Sequence, residues 1–249
     1  MTARAAVVLV SPHSGYGAGG RLFAELLSRE CNVREVGINE PELLARLSAA
    51  VEEVSVARPD GASPALVGVS LGVAAALGFA AARPDDIASL TLVAPWMHAT
   101  PKMETAAELW HNLTGSDHGD DHCNAAVFGA YLSLVSARGW RAPSELRDDP
   151  GVLADLSTLF GNCLDVDAVE FAAAIAVPTL VVAAAFDEFA DVTQAHLLFG
   201  AIADSRLAEI DCGHAVLLER PLEVLHLVET FVADPRRERA GSRVAAVLP

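Results

Sequence analysis

The sequence contains no apolar run approaching the roughly 20 residues that a membrane-spanning helix needs. Residues Ala5–Val10 are apolar but too few for the core of a secretory signal, and Ser11-Pro12 ends them, so a cytoplasmic protein is expected. Basic residues are scarce: 17 Lys and Arg stand against 33 Asp and Glu, a formal net charge of −16. Such a surface repels phosphate backbones and anionic bilayers, so neither nucleic-acid nor membrane binding is expected. The four cysteines, Cys31, Cys123, Cys163 and Cys212, show no C-x-x-C spacing. Reduced thiols are therefore expected rather than a disulfide framework. Gly15, Gly17 and Gly20 keep G-x-G-x-x-G spacing, a weak signal by itself, and no dinucleotide cofactor is expected. No linker-like stretch or internal repeat divides the chain. Its 249 residues, 52% hydrophobic, suit one globular domain with a large core.

What is present is an alternation of short β-rich runs and longer helical patterns. Ala5–Val10 is a continuous apolar run, as expected of a parallel strand covered on both faces. Leu22, Phe23, Leu26 and Leu27 then recur at helical spacing, and Asn32–Val36 reads as a second strand. Leu43, Leu44, Leu47 and Val51 continue the helical period, with Pro41 near its start. Ala65–Val69 is the next strand, Leu71–Ala82 an alanine-rich helix, and Ser89–Val93 another strand. Strands alternating with helices of this length imply crossover connections and a parallel sheet. From Trp96 to Asp165 the alternation stops, and the pattern becomes helical, His-rich and broken by turns. It resumes with strands at Val177–Val182 and Arg206–Ile210 and helices near Val192–Ile202 and Leu222–Val232. The middle segment therefore reads as an insertion over the C-terminal strand edges, where open α/β sheets bind ligands. The tail from Asp234, with its Pro-Arg-Arg-Glu-Arg cluster, is expected to be frayed or docked on a sheet edge.

Three local features carry chemistry. Gly68-Val69-Ser70-Leu71-Gly72 falls between an apolar strand and a helix. A serine hydroxyl is a weak nucleophile and must project from a tight turn where a base can reach it, and small neighbours permit that turn. Asp187 is the first carboxylate after the run Leu180–Ala185, on the same sheet edge as Ser70, where it could fix an imidazole tautomer. Glu188 and Asp191 are its substitutes if the register differs. His214, in Asp211-Cys212-Gly213-His214, follows the last expected strand and can serve as general base and then general acid.

GVSLG, VPTLVVAAAFDEF and IDCGHAVLLERPLEV together resemble the three signature regions of the α/β-hydrolase superfamily, and the resemblance spans nearly the whole chain. It implies an α/β-hydrolase fold: a mostly parallel sheet of about six strands flanked by helices, with a helical lid between the sixth and seventh family strands. Residues 1–95 and 176–249 would form the core and 96–175 the lid. It also implies that Ser70 is the nucleophile, Asp187 the acid and His214 the base. Two departures stand out. The resemblance usually brings a hairpin ahead of the first parallel strand, and with so few residues before Ala5 none is expected here. The loop after that strand reads Ser11-Pro12-His13-Ser14-Gly15, where many members have His-Gly. That loop supplies one oxyanion-hole amide and Leu71 the other. Pro12 has no N–H, so His13 is the expected donor, with Ser14 as the alternative. The opening Pro-His-Ser-Gly is similar to the Pro-His-Ala-Gly of thioesterases that release or edit polyketide and peptide chains.

Trp96, Trp110, Phe128, Tyr131 and Ser14 are candidates for the substrate pocket, although lid packing also explains the aromatics. His111, Asp117, His118, Asp120, Asp121, His122 and Cys123 crowd one stretch. Gly115 and Gly119 argue there for a polar turn rather than a metal site. No metal or other cofactor is expected, and Cys212 reads as small buried filler. The expected activity is hydrolysis of an ester, thioester or lactone on a small-molecule acyl substrate, free or carrier-bound. The alternatives are acyl transfer, C–C bond cleavage or cofactor-free lyase or cyclase chemistry on the same triad, or a non-catalytic ligand-binding homologue. Oligomeric state is left open.

Overall fold

The computed structural model describes residues 4–11, 17–38, 42–58, 60–105, 108 and 168–246. Seven strands form one sheet: β1 Ala6–Ser11, β2 Asn32–Gly37, β3 Ala65–Val69, β4 Ser89–Val93, β5 Thr179–Ala184, β6 Ser205–Ile210 and β7 Arg243–Val244. Their spatial order is β2-β1-β3-β4-β5-β6-β7, and every pairing is parallel. Strands β1, β3, β4 and β5 are buried along their whole length, which accounts for their continuous apolar runs.

Side chains alternate between the two faces, so each central strand feeds two cores. Val8, Val10, Leu66, Leu90, Leu92, Val181 and Ala183 face one side. There they pack under α2 (Leu43–Val56), α3 (Gly72–Ala82), the one-turn α4 (Val169–Ala172) and α5 (Asp191–Ala201). Val7, Leu9, Val67, Val69, Leu180 and Val182 face the other, under α1 (Gly17–Leu27), the short α6 (Val216–Glu219) and α7 (Pro221–Ala233).

The sheet has one strand more than expected, because the C-terminal tail docks as β7. Arg243 and Val244 register against Leu207 and Ala208 and cover the outer edge of β6. Arg206 holds the chain leading to β7, its guanidinium donating to the Glu238 and Asp204 carbonyls at 2.9 Å each. Of the expected lid, residues 106–107 and 109–167 lie outside the described residues. Its two ends meet: the Ala168 N–H donates to the Met97 carbonyl at 2.7 Å. Buried Gln194 on α5 accepts the Met97 and His98 amides through Oε1, at 3.1 and 3.3 Å.

The strand order reverses at β1: the helix that follows β1, α1, and the helix that follows β3, α3, lie on opposite faces of the sheet. The crevice beyond the carboxyl ends of β1 and β3 is the ligand-binding position of open α/β sheets. Ser70 stands at that point.

Candidate active site

Ser70 follows β3 directly and has φ 51, the left-handed region that costs a non-glycine residue about 1–3 kcal/mol. The turn is held from both sides. The Ser70 N–H donates to the Val93 carbonyl at 2.9 Å, and the Ser70 carbonyl accepts from Val73 N–H at 3.0 Å. The flanking glycines are steric requirements. A Cβ at Gly68 would lie 2.8 Å from Ala76 Cβ, and one at Gly72 would lie 2.2 Å from the Val10 carbonyl oxygen. Only hydrogen at these positions lets α3 start so close to the strands, and that start aims Ser70 Oγ over the sheet edge.

His214 arrives on the loop after β6 and is fully buried. Ser70 Oγ lies 2.8 Å from its Nε2, and its Nδ1 lies 2.7 Å from Asp187 Oδ2. A carboxylate only accepts, so Nδ1–H donates to Asp187, leaving the Nε2 lone pair to accept from the Ser70 hydroxyl. Asp187 is itself fixed: its Oδ1 accepts the amides of Phe189 and Ala190, at 2.9 and 2.8 Å. The two loops are stitched together, with Phe186 N–H donating to the Cys212 carbonyl at 2.9 Å. The two substitute acids are engaged elsewhere. Glu188 pairs with Lys102 at 3.0 Å on the surface. Asp191 accepts the amide and hydroxyl of Thr193, which lowers its pKa.

The Leu71 N–H, at the start of α3, has no acceptor among the described residues. Helix N-termini favour anions, so this donor suits a developing oxyanion. His13 and Ser14 lie outside the described residues, as do the pocket candidates Trp110, Phe128 and Tyr131 and the His- and Asp-rich stretch 111–123. Trp96 is described: it is buried, and its ring centroid lies 6.2 Å from that of His214. Phe189 was not among the sequence candidates. Its ring is closer to the imidazole, centroid to centroid 4.9 Å, and stands edge-on to Trp96. Together the two rings flank the buried His214 imidazole. No sequence spacing marks Phe189; only its place two residues after the acid hints at it.

Cys212 is a buried free thiol, its pKa raised by burial and then by the Glu219 and Asp187 carboxylates. A thiol so disfavoured as thiolate is no nucleophile, in keeping with the filler reading.

No family model matches the sequence. Among curated proteins it is similar to a pyrrolizixenacetamide deacetylase of Xenorhabdus hominickii, 25% identical over 195 residues, 77% of this chain and 71% of that one. Solved structures resemble it over nearly their whole length. An α/β hydrolase enzyme from a Medee basin deep-sea metagenome library superposes with a TM-score of 0.75 at 17% identity, covering 94% of this chain and 91% of that one. The enol-lactonase of Burkholderia xenovorans gives 0.73 at 21% identity, covering 93% and 92%. An esterase of Exiguobacterium antarcticum gives 0.72 at 14% identity, covering 94% of each chain. The chain has the α/β-hydrolase fold.

Proposed function

We propose that this chain is a serine hydrolase that cleaves an ester, thioester or lactone through an acyl-enzyme. The observation that carries the reading is the buried relay from Ser70 Oγ through His214 to Asp187 at the topological switch point of the sheet. His214 Nε2 takes the Ser70 proton as Oγ attacks the acyl carbonyl carbon. The tetrahedral oxyanion is held by the amides of Leu71 and His13. Its collapse breaks the acyl bond, and the imidazolium gives its proton to the leaving group. Water, deprotonated by His214, then attacks the acyl-enzyme and releases the acid with Ser70 restored. Asp187 stays ionised throughout and stabilises the imidazolium. The segment 96–175 serves as the lid over this edge, a reading supported by the clamp between Met97 and Ala168 at its base. The substrate is a small acyl compound, free or carrier-bound, met in the cytoplasm.

A second reading keeps the relay and makes the scissile bond an acetamide. The similarity to a deacetylase favours it. A panel of p-nitrophenyl esters of graded chain length, acyl thioesters, a lactone and p-nitroacetanilide, run with wild type and Ser70→Ala, tests both. Turnover lost with Ser70 supports hydrolysis, and the preferred member names the bond. Turnover of none of them, or turnover that persists in Ser70→Ala, counts against both readings.

A further inference from the structure

The peptide bond between Cys212 and Gly213 lies immediately ahead of His214, and both of its polar edges are held. Its carbonyl accepts the Phe186 N–H at 2.9 Å, from the residue next to Asp187. Its N–H points the other way, to the Glu219 carboxylate, at 3.2 Å from Oε1 and 3.1 Å from Oε2. We infer that Glu219 is a positioning residue for His214, acting through this one peptide plane; the inference rests on the reading of His214 as the general base.

Three features support the assignment. Glu219 is well placed to hold rather than follow. It ends the one-turn helix α6, where its own N–H donates to the Ala215 carbonyl at 3.0 Å and where Val216 and Leu217 are buried in the core. The segment from Gly213 to Glu219 thus closes on itself, leaving the imidazole little freedom to pivot. Gly213 and His214 are buried, so without the carboxylate the Gly213 N–H would lose its partner in a place water does not reach. Finally, the opposite edge of the same plane is tied to the Asp187 loop. Glu219 therefore sets the angle at which the ring meets both Asp187 Oδ2 and Ser70 Oγ. A shift of about 1 Å in such a relay costs on the order of a hundredfold in rate.

The test compares Glu219→Ala, Glu219→Gln and Glu219→Asp in the full chain, on the best substrate of the panel. Gln keeps an acceptor oxygen without the charge; Asp keeps the charge on a stem too short to reach. For a positioning role, Gln retains kcat within about threefold, while Ala and Asp lose about ten- to a hundredfold in kcat with KM little changed. The far-downfield proton resonance of the His214–Asp187 bond stays sharp in Gln and broadens or vanishes in Ala and Asp. The pH–rate profile of Gln overlays that of wild type. Full activity in both Ala and Asp overturns the inference. So does equal loss in Ala and Gln with Asp spared and the profile displaced, which would assign a charge effect. If Ala does not fold, the contrast between Gln and Asp decides alone. Wild type that neither turns over substrate nor labels at Ser70 removes the underlying reading; active wild type with indifferent variants removes only this inference.

Discussion

Replacing Gly72 by alanine forces the tightest contact in the site to open. The added Cβ would stand 2.2 Å from the Val10 carbonyl oxygen and 2.7 Å from its carbon. Contacts of this kind ordinarily rest near 3.5 Å, so strand β1 and helix α3 must part by roughly 1 Å. The obstacle is backbone inside a strand buried from end to end, with no flexible side chain to yield. Overpacking typically costs about 1–3 kcal/mol, and a backbone clash belongs at the upper end. The lower chain entropy of alanine returns less than about 1 kcal/mol. The net loss is about 2 kcal/mol, which for a domain of this size lowers Tm by about 4–8 °C. Gly78→Ala is the control, since it lies in the same helix and its Cβ meets nothing nearer than Phe171 Cζ at 3.9 Å. It should gain about 0.5–1 kcal/mol. Urea unfolding with matched m-values measures both, and ester turnover of Gly72→Ala should fall further than its stability does, because the start of α3 carries Ser70. A Gly72→Ala protein as stable and active as wild type, or an equal fall in Gly78→Ala, would refute the steric reading of the G-x-S-x-G turn.

Asp187→Asn should keep the fold and lower kcat by about three to four orders of magnitude, because an amide no longer favours the tautomer that leaves Nε2 free; a steady-state assay at several pH values checks it. Thr91, in the middle of β4, has a buried hydroxyl without a hydrogen-bond partner among the described residues. Thr91→Val should raise stability by about 1 kcal/mol in urea melts. Burial, and then the Glu229 and Glu30 carboxylates, push the Cys31 thiol from 9.0 up to about 11. The folded state thus holds a proton that the unfolded chain releases. This stabilising contribution is complete below about pH 9 and is lost as pH rises toward 11, by about 2 kcal/mol. Cys31→Ala should flatten that alkaline fall.

The parts of the fold that were legible are those whose signal is local. β3 and β4 are short runs bounded by turns whose expected bounds match the structure residue for residue, and the helix between them matches to within one position. β5 runs two residues later at both ends than the apolar pattern Val177–Val182 implies. Pro178 has no N–H to give, yet its carbonyl accepts Leu90 N–H at 3.0 Å, and Ala183 and Ala184 carry little strand preference of their own. β7 is legible only as a tail either frayed or docked on an edge, because two residues form a strand solely when an edge such as β6 is there to pair with. In the site, Ser70, Asp187 and His214 announce themselves by type, order and position after strands. Phe189 and Glu219 do not, since one contributes a ring face and the other a carboxylate reaching a backbone amide, contacts that exist only in three dimensions.

The most direct measurement is peptide-resolved mass spectrometry after reaction with a fluorophosphonate. The reagent should add once, to Ser70, with rates that collapse in His214→Ala while the variant remains folded. Labelling at any other residue, or labelling of Ser70 at an undiminished rate without His214, would contradict the claim that this serine is activated by the buried imidazole 2.8 Å away.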